Sequence, residues 1–228
     1  MQEKKDNFPL DGYIKFHCEH TTATWNSEAL PLSSTLLQII EQLDTFRTRV
    51  YDQKLIGIYE NGIGYGNLSH RIGENFVITA SATGGARELG IDGYTLVHSV
   101  LIENNTVKSI GPLPASSETM THAAIYQVAP PIKCILHIHN QIIFDTMIKN
   151  NSLSTEKNIP YGTIEMAQAL KILAQKYPLE ASIVMQGHNE GVIIYGTSIE
   201  HVESQLNFLT QEVKKLHCKK CQKGETHG

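Results

Sequence analysis

The stretch Ile132-Lys133-Cys134-Ile135-Leu136-His137-Ile138-His139 decides how this chain folds. Ile132, Cys134, Leu136 and Ile138 alternate within it, which predicts a strand over 132–139 with those four on one face. Pro130-Pro131 stands just before it and stops any preceding helix, because a proline disfavours helical geometry in the residue ahead of it. His137 and His139 are two positions apart, so a strand projects both imidazoles from the same face and lets them reach one ion. Neutral imidazole is a good ligand for zinc and neighbouring divalent metals. A bare His-x-His pair equally suits the solvent face of an amphipathic strand, so the surrounding residues carry the decision.

Downstream, the apolar runs Ser182-Ile183-Val184-Met185 and Gly191-Val192-Ile193-Ile194-Tyr195 read as a pair of strands, and His188 lies between them at a strand end. Catalytic zinc usually takes three protein ligands and keeps one position open. His137, His139 and His188 are the expected set. Upstream, Ser116-Ser117 open a predicted helix that continues through Val128. Glu118 in its first turn suits the positive end of the helix dipole. Beside a metal, the same carboxyl would serve as a proton shuttle. The two serines and the backbone N–H groups behind them form the kind of helix start that binds phosphate. His122 follows Glu118 by one helical turn and reads as a satisfied core or interface histidine, ahead of a partner to a metal ligand. Thr79-Ala80-Ser81-Ala82-Thr83-Gly84-Gly85 follows a predicted strand, Phe76–Thr79, and taken alone reads as a turn.

The remaining elements frame these. A helix capped by Ser33 or Ser34 carries Leu36, Ile39, Ile40, Leu43, Phe46 and Val50 at helical spacing. The glycine-rich passage Gly57–Gly66 leads to Asn67-Leu68-Ser69-His70-Arg71. Tyr94–Val100 and Val107–Ile110 read as strands around an Asn104-Asn105 turn, and a helix is predicted from Thr163 to Tyr177. The last helix has Thr197 and Glu200 in capping-box positions, followed by Ile199, Val202, Leu206, Leu209, Val213 and Leu216 along one face. Helices and strands mix without regular βαβ alternation, which predicts an α/β fold with a largely antiparallel sheet covered by helices. Residues 1–30 are expected to be irregular, with Trp25 over the active site or a subunit interface, and 217–228 a flexible tail. No linker or repeat divides the chain, so 1–228 is expected to be one domain.

A formal charge of −4 argues against nucleic acid as a partner. No stretch approaches the ~18 apolar residues of a membrane span, and the charged N-terminus lacks the apolar core of a secretory signal. Cys18, Cys134, Cys218 and Cys221 show no disulfide framework and read as free thiols of a cytoplasmic protein. Cys218-Lys219-Lys220-Cys221 with His217 supplies too few ligands for a structural zinc site, which takes four.

Together the motifs resemble the class II aldolase/adducin superfamily, which includes fuculose- and rhamnulose-phosphate aldolases and ribulose-phosphate 4-epimerases. Gly66-Asn67-Leu68-Ser69 is similar to its Gly-Asn-(Ile/Val/Leu)-Ser loop, and Ile78–Gly84 to its Thr-Pro-Ser/Thr-Gly segment. Pro114-Ala115-Ser116-Ser117-Glu118, continuing through Tyr126, resembles its Ser-Ser-Glu helix. Ile135–His139 and Gly187-His188 resemble its metal-ligand strand and third ligand. The resemblance implies a three-layer α/β/α fold and a homotetramer with active sites between subunits. It implies Zn2+ or a similar ion on His137, His139 and His188. It also implies a substrate phosphate held by Asn67, Ser116, Ser117 and the Ser81–Gly84 loop, with Ser81 and Thr83 alternative contacts.

Three departures from the family pattern bear on the reaction. The 79–84 loop has an extra residue, and Asn189-Glu190 separates His188 from Gly191, adding an acid near the metal. The stretch from His139 to Pro160 is short where the sugar-phosphate aldolases supply an interface tyrosine; Tyr161 is the nearest equivalent. Three readings follow: an aldolase-type lyase on a small phosphorylated ketose or polyol working through a metal-stabilised enediolate, with Glu118 as the acid/base; a sugar-phosphate epimerase or dehydratase on the same site; and a non-catalytic adducin-like scaffold. A cupin, which also uses His-x-His, is set aside because strong helices surround the motif.

Overall fold

A computed structural model describes residues 14–222, with side chains through 215. The first strand, β1 (His17–Thr22), precedes helix α1 (Ser34–Asp52), whose start is capped by the Ser33 hydroxyl accepting from the Leu36 N–H at 3.1 Å. A two-stranded ribbon follows, β2 (Gly57–Ile58) with β3 (Gly64–Tyr65). Then come β4 (Asn67–Ile72), β5 (Asn75–Thr79), β6 (Tyr94–Leu101) and β7 (Thr106–Gly111). Asn105 turns the chain between β6 and β7 in the left-handed region, which asparagine tolerates. Helix α2 (Thr119–Val128) leads to β8 (Cys134–His139), α3 (Gln141–Lys149) and α4 (Ile164–Lys176). Strands β9 (Ala181–Val184) and β10 (Gly191–Gly196) precede α5 (Ile199–Gln222).

Eight strands form one sheet in the order β1-β7-β6-β5-β4-β8-β10-β9. Among the described strands only the β1–β7 seam is parallel, so the sheet is largely antiparallel, as the mixed order of elements predicts. Alternation along the strands divides the core in two. On one face Ile135, Ile183, Ile193 and Tyr195 pack with Ala123, Ala124, Met166 and Leu170 of α2 and α4. On the other, Leu136, Ile138, Val192 and Ile194 pack with Leu43, Phe46, Ile143 and Val202 of α1, α3 and α5. The layers are therefore helix, sheet, helix. Strand β8 is buried on both faces, which places His137 and His139 beneath α2 and away from open solvent.

Several expectations change. Ile132 joins the α2–α4 side of the core, opposite Cys134, Leu136 and Ile138, because its N–H closes a turn onto Ala129 before the pleat begins. Within the segment expected to be irregular, 17–22 form an edge strand, and Trp25 is buried in the α1-side core with its indole N–H donating to the Tyr94 carbonyl at 3.1 Å. The last helix is capped one residue later than expected, by Ser198 Oγ accepting from the His201 N–H. Its backbone remains helical through Gln222; the side chains of His217, Cys218 and Cys221 lie outside the described residues. Among the described residues no helix is long and apolar enough to cross a membrane.

Antiparallel pairing brings the ends of β5, β7 and β8 and the starts of β4 and β10 to the same end of the sheet. The loops carrying the sequence motifs therefore meet there.

Candidate active site

His137 and His139 stand on the last turn of pleat in β8, and His188 comes from the tight loop between β9 and β10. That loop is closed by the His188 N–H on the Met185 carbonyl at 2.8 Å and the Gly191 N–H on the His188 carbonyl at 3.0 Å. The three rings converge, with centroids 4.8, 4.9 and 4.6 Å apart, and all three are buried. One nitrogen from each lies within 4.8 Å of the others. His137 Nδ1 faces the Val192 carbonyl at 3.1 Å. A carbonyl only accepts, so Nδ1 carries the proton and Nε2 presents its lone pair inward. Burial, with the neighbouring imidazoles adding to it, holds His137 and His139 well below the usual histidine range, so both are neutral at pH 7. Among the described residues this is the sole cluster of metal-binding side chains.

A cleft of about 230 Å³ opens onto these rings, small-molecule in scale. Its wall contains Asn67, Ser81, Thr83, Gly84, Ser116, Ser117, Glu118 and all three histidines, so the expected metal ligands, acid/base and phosphate contacts meet in one place. Asn67 begins β4 directly opposite His137, and its buried Oδ1 makes no hydrogen bond among the described residues. An unsatisfied buried amide is costly and suits a position that a ligand completes. Glu118 is the residue before α2 and is 3 % exposed. The Thr121 hydroxyl donates to its Oε2 at 2.8 Å, which fixes the carboxyl on the helix start.

Two ties shape the 80–87 loop. The Ser81 N–H donates to the Pro114 carbonyl at 2.8 Å, joining this loop to the segment that leads into α2. From behind, the buried Arg47 of α1 donates to the carbonyls of Thr83, Ala86 and Arg87. Thr83 turns its hydroxyl into the loop, donating to the Ala80 carbonyl at 2.8 Å, so its side chain is committed to loop structure. Gly84 packs against the β2–β3 ribbon so closely that a Cβ there would stand 2.3 Å from the Gly57 carbonyl oxygen.

Sequence reasoning passed over the ribbon. Tyr65 lines the cleft with its ring 5.7 Å from that of His139. Burial, and after it the nearby Glu190 charge, hold its phenol above the ordinary value. Tyr59 packs on Tyr65 with ring centroids 4.4 Å apart and reaches His139 from the other side. Tyr161, the poor match to an interface tyrosine, lies against His188 within its own chain. His122 is buried in the core but only half satisfied: its Nδ1 meets Ser69 Oγ at 2.7 Å, its Nε2 has no partner among the described residues, and burial pushes it down to about 3.

Residues 60–211 match the family model described as the Class II Aldolase and Adducin N-terminal domain. Among solved structures, the chain is similar to the L-fuculose-1-phosphate aldolase of Thermus thermophilus. That match has a TM-score of 0.60 at 16% identity and covers 84% of this chain and 98% of the other. It is similar to a sugar-phosphate aldolase from Thermotoga maritima, with a TM-score of 0.60 at 15% identity, covering 85% and 99%. A third is YgbL from Klebsiella pneumoniae, described as a candidate aldolase/epimerase/decarboxylase, with a TM-score of 0.58 at 19% identity, covering 83% and 91%. A search of curated proteins finds no match. At these identities the structural likeness is one of fold, and the family model spans most of the chain. This protein belongs to the class II aldolase and adducin N-terminal domain family.

Proposed function

We propose that this chain is a divalent-metal-dependent lyase of the aldolase type, cleaving a carbon–carbon bond in a small phosphorylated ketose or polyol. The observation that carries the reading is the meeting of the three-histidine cluster, Glu118 and a hydroxyl- and amide-rich wall in one cleft. Three buried imidazoles, two held neutral by burial, suit Zn2+ or a neighbouring ion. When bound, such an ion supplies Lewis-acid stabilisation for the negative charge that develops on substrate oxygens during cleavage.

The chain's own residues supply the rest. Glu118 moves the proton to and from the reacting carbon. Ser116, Ser117 and the N–H groups at the start of α2 hold the phosphate, with Gly84 allowing the backbone of the opposite loop to approach. Ser81 is the hydroxyl of that loop assigned to the phosphate, since Thr83 donates internally. Asn67 orients the substrate through its amide oxygen, which lacks a partner among the described residues.

The same reading includes a homo-oligomer, a tetramer in the family pattern. A cytoplasmic setting is supported by Cys18 and Cys134 being free thiols. We take 1–228 as one domain of this type.

A second reaction on the same site, epimerisation or dehydration of a sugar phosphate, is favoured by one feature. Residues 140–160 contain no tyrosine to take the hydroxyl proton of the fragment that leaves as an aldehyde. A pure scaffold would have no use for a buried histidine cluster beside an acid. Metal analysis of wild-type protein and His137→Ala, followed by incubation with phosphorylated ketoses and product analysis, tests the reading. About one divalent ion per chain, lost in the variant, and release of a triose phosphate are expected. Folded wild-type protein that takes up no ion would remove the enzyme reading; an isomeric or dehydrated product would select the second reaction.

A further inference from the structure

We propose that Tyr59 and Glu190 form a two-residue relay that orients His139 as a metal ligand, the phenol joining imidazole to carboxylate. The inference rests on the metal-centre reading above and assigns work to an acid that the sequence places in the loop after His188.

The direction of the relay follows from donor and acceptor chemistry. His139 Nε2 lies 2.9 Å from His137 Nε2, so its inward nitrogen is Nε2 and Nδ1 points away from the cluster. An imidazole that offers its Nε2 lone pair carries its proton on Nδ1. Tyr59 Oη stands 2.7 Å from that Nδ1 and takes the proton as an acceptor. Its own O–H then points at Glu190 Oε2, 3.3 Å away. A carboxylate only accepts, so the chain His139 Nδ1–H to Tyr59 O–H to Glu190 has a single consistent polarity. It locks one tautomer and one ring orientation, the task the Val192 carbonyl performs for His137.

Both members are held in place by the backbone of their own loops. Tyr59 sits at the tip of the β2–β3 ribbon, pinned by its N–H on the Ile63 carbonyl at 2.8 Å and by the Gly62 N–H on its own carbonyl at 2.9 Å. Glu190 adopts φ +62°, a left-handed conformation that is strained for a glutamate and would not be for a glycine. Its carbonyl accepts the N–H of Asn140, the residue after His139, at 3.1 Å, so the strained loop is braced on the ligand strand itself. A non-glycine residue kept in such a conformation beside a cluster of ligands points to a side-chain role.

The test uses the full chain, stripped of metal and titrated with Co2+, with dissociation constants and visible spectra recorded for wild type, Tyr59→Phe, Glu190→Gly and the double variant. Tyr59→Phe is expected to weaken Co2+ binding by about 10–100-fold. Glu190→Gly removes the acceptor while relieving the backbone, so it should weaken Co2+ binding yet leave the metal-free melting temperature equal or higher. The double variant should bind no more weakly than Tyr59→Phe, because the two act in series. Single variants that bind Co2+ with wild-type affinity and an unchanged spectrum would overturn the relay while leaving the metal centre standing. Wild-type protein that binds no Co2+ would overturn the metal centre, and the relay with it.

Discussion

The ring of Tyr161 lies flat on that of His188, centroids 4.4 Å apart and planes 18° from parallel. The Lys15 ammonium sits 3.4 Å from the centroid of the same tyrosine and donates to its carbonyl at 2.7 Å. His188 thus has an aromatic backing that is itself held by a cation.

Removing that backing loosens the third ligand. Tyr161→Ala is expected to weaken metal binding by about 3–10-fold, the size of one aromatic pair, whereas Tyr161→Phe keeps the stack and the affinity. Co2+ titration of both variants reads the affinities, and turnover is measured beside it. Tyr161→Phe with intact metal affinity and a collapsed kcat would show that the phenol acts on substrate.

Glu118→Gln separates proton transfer from assembly. The amide can still accept from Thr121, so fold and metal content should match wild type. Turnover should fall about 10²–10⁴-fold, the range for a lost general acid/base. A loss below tenfold would move the proton-transfer role elsewhere in the cleft.

Gly84→Ala tests the phosphate wall. Its Cβ would meet the Gly57 carbonyl oxygen at 2.3 Å and the Gly64 Cα at 2.8 Å, both backbone atoms that cannot swing aside. The loop must move, at about 1–3 kcal/mol of stability, and KM for a phosphorylated substrate should rise more than kcat falls. Thermal melts and steady-state kinetics check the two parts.

Acid should unfold the metal-free protein through its buried histidines. His122 is held down to about 3 in the fold by desolvation, against roughly 6.5 in an unfolded chain. The unfolded state therefore binds more protons between those values, so this histidine's stabilising effect is complete above about pH 6.5 and is lost as pH falls toward 3. The slope approaches about 1.4 kcal/mol per pH unit for each such histidine, and His137 and His139, shifted the same way, steepen it. Denaturant melts from pH 7 to 4 measure this; His122→Gln should flatten the curve by one proton.

How much of this was legible in the sequence varies by residue. Periodicity located α1, α5 and β8, apolar runs located β9 and β10, and the motifs named Glu118 and the three histidines, which the fold brings to one cleft. The ribbon at Gly57–Tyr65 escaped notice because four of its residues pair across a glycine-rich turn with no alternating apolar pattern. Strand β1 escaped because an edge strand with mostly exposed side chains carries little hydrophobic signal. Nothing in the sequence marks Arg47; only the fold shows it buried against three loop carbonyls. Tyr59 could not be found from spacing at all, since it meets His139 across 80 positions of chain.

The parallel seam between β1 and β7 has a consequence for the order in which the molecule closes. His20 and Ser109, bonded at 3.0 Å across it, are 89 positions apart, while the neighbouring β6–β7 pairing needs only a short turn. Joining distant segments costs chain entropy before any contact offsets it. The hairpins from β4 to β7 can zip locally, and β1 can add only after β7 exists as a template. The first strand of the sheet in sequence is therefore expected to be the last to dock and the first to lift, which early hydrogen exchange of the β1 amides would reveal.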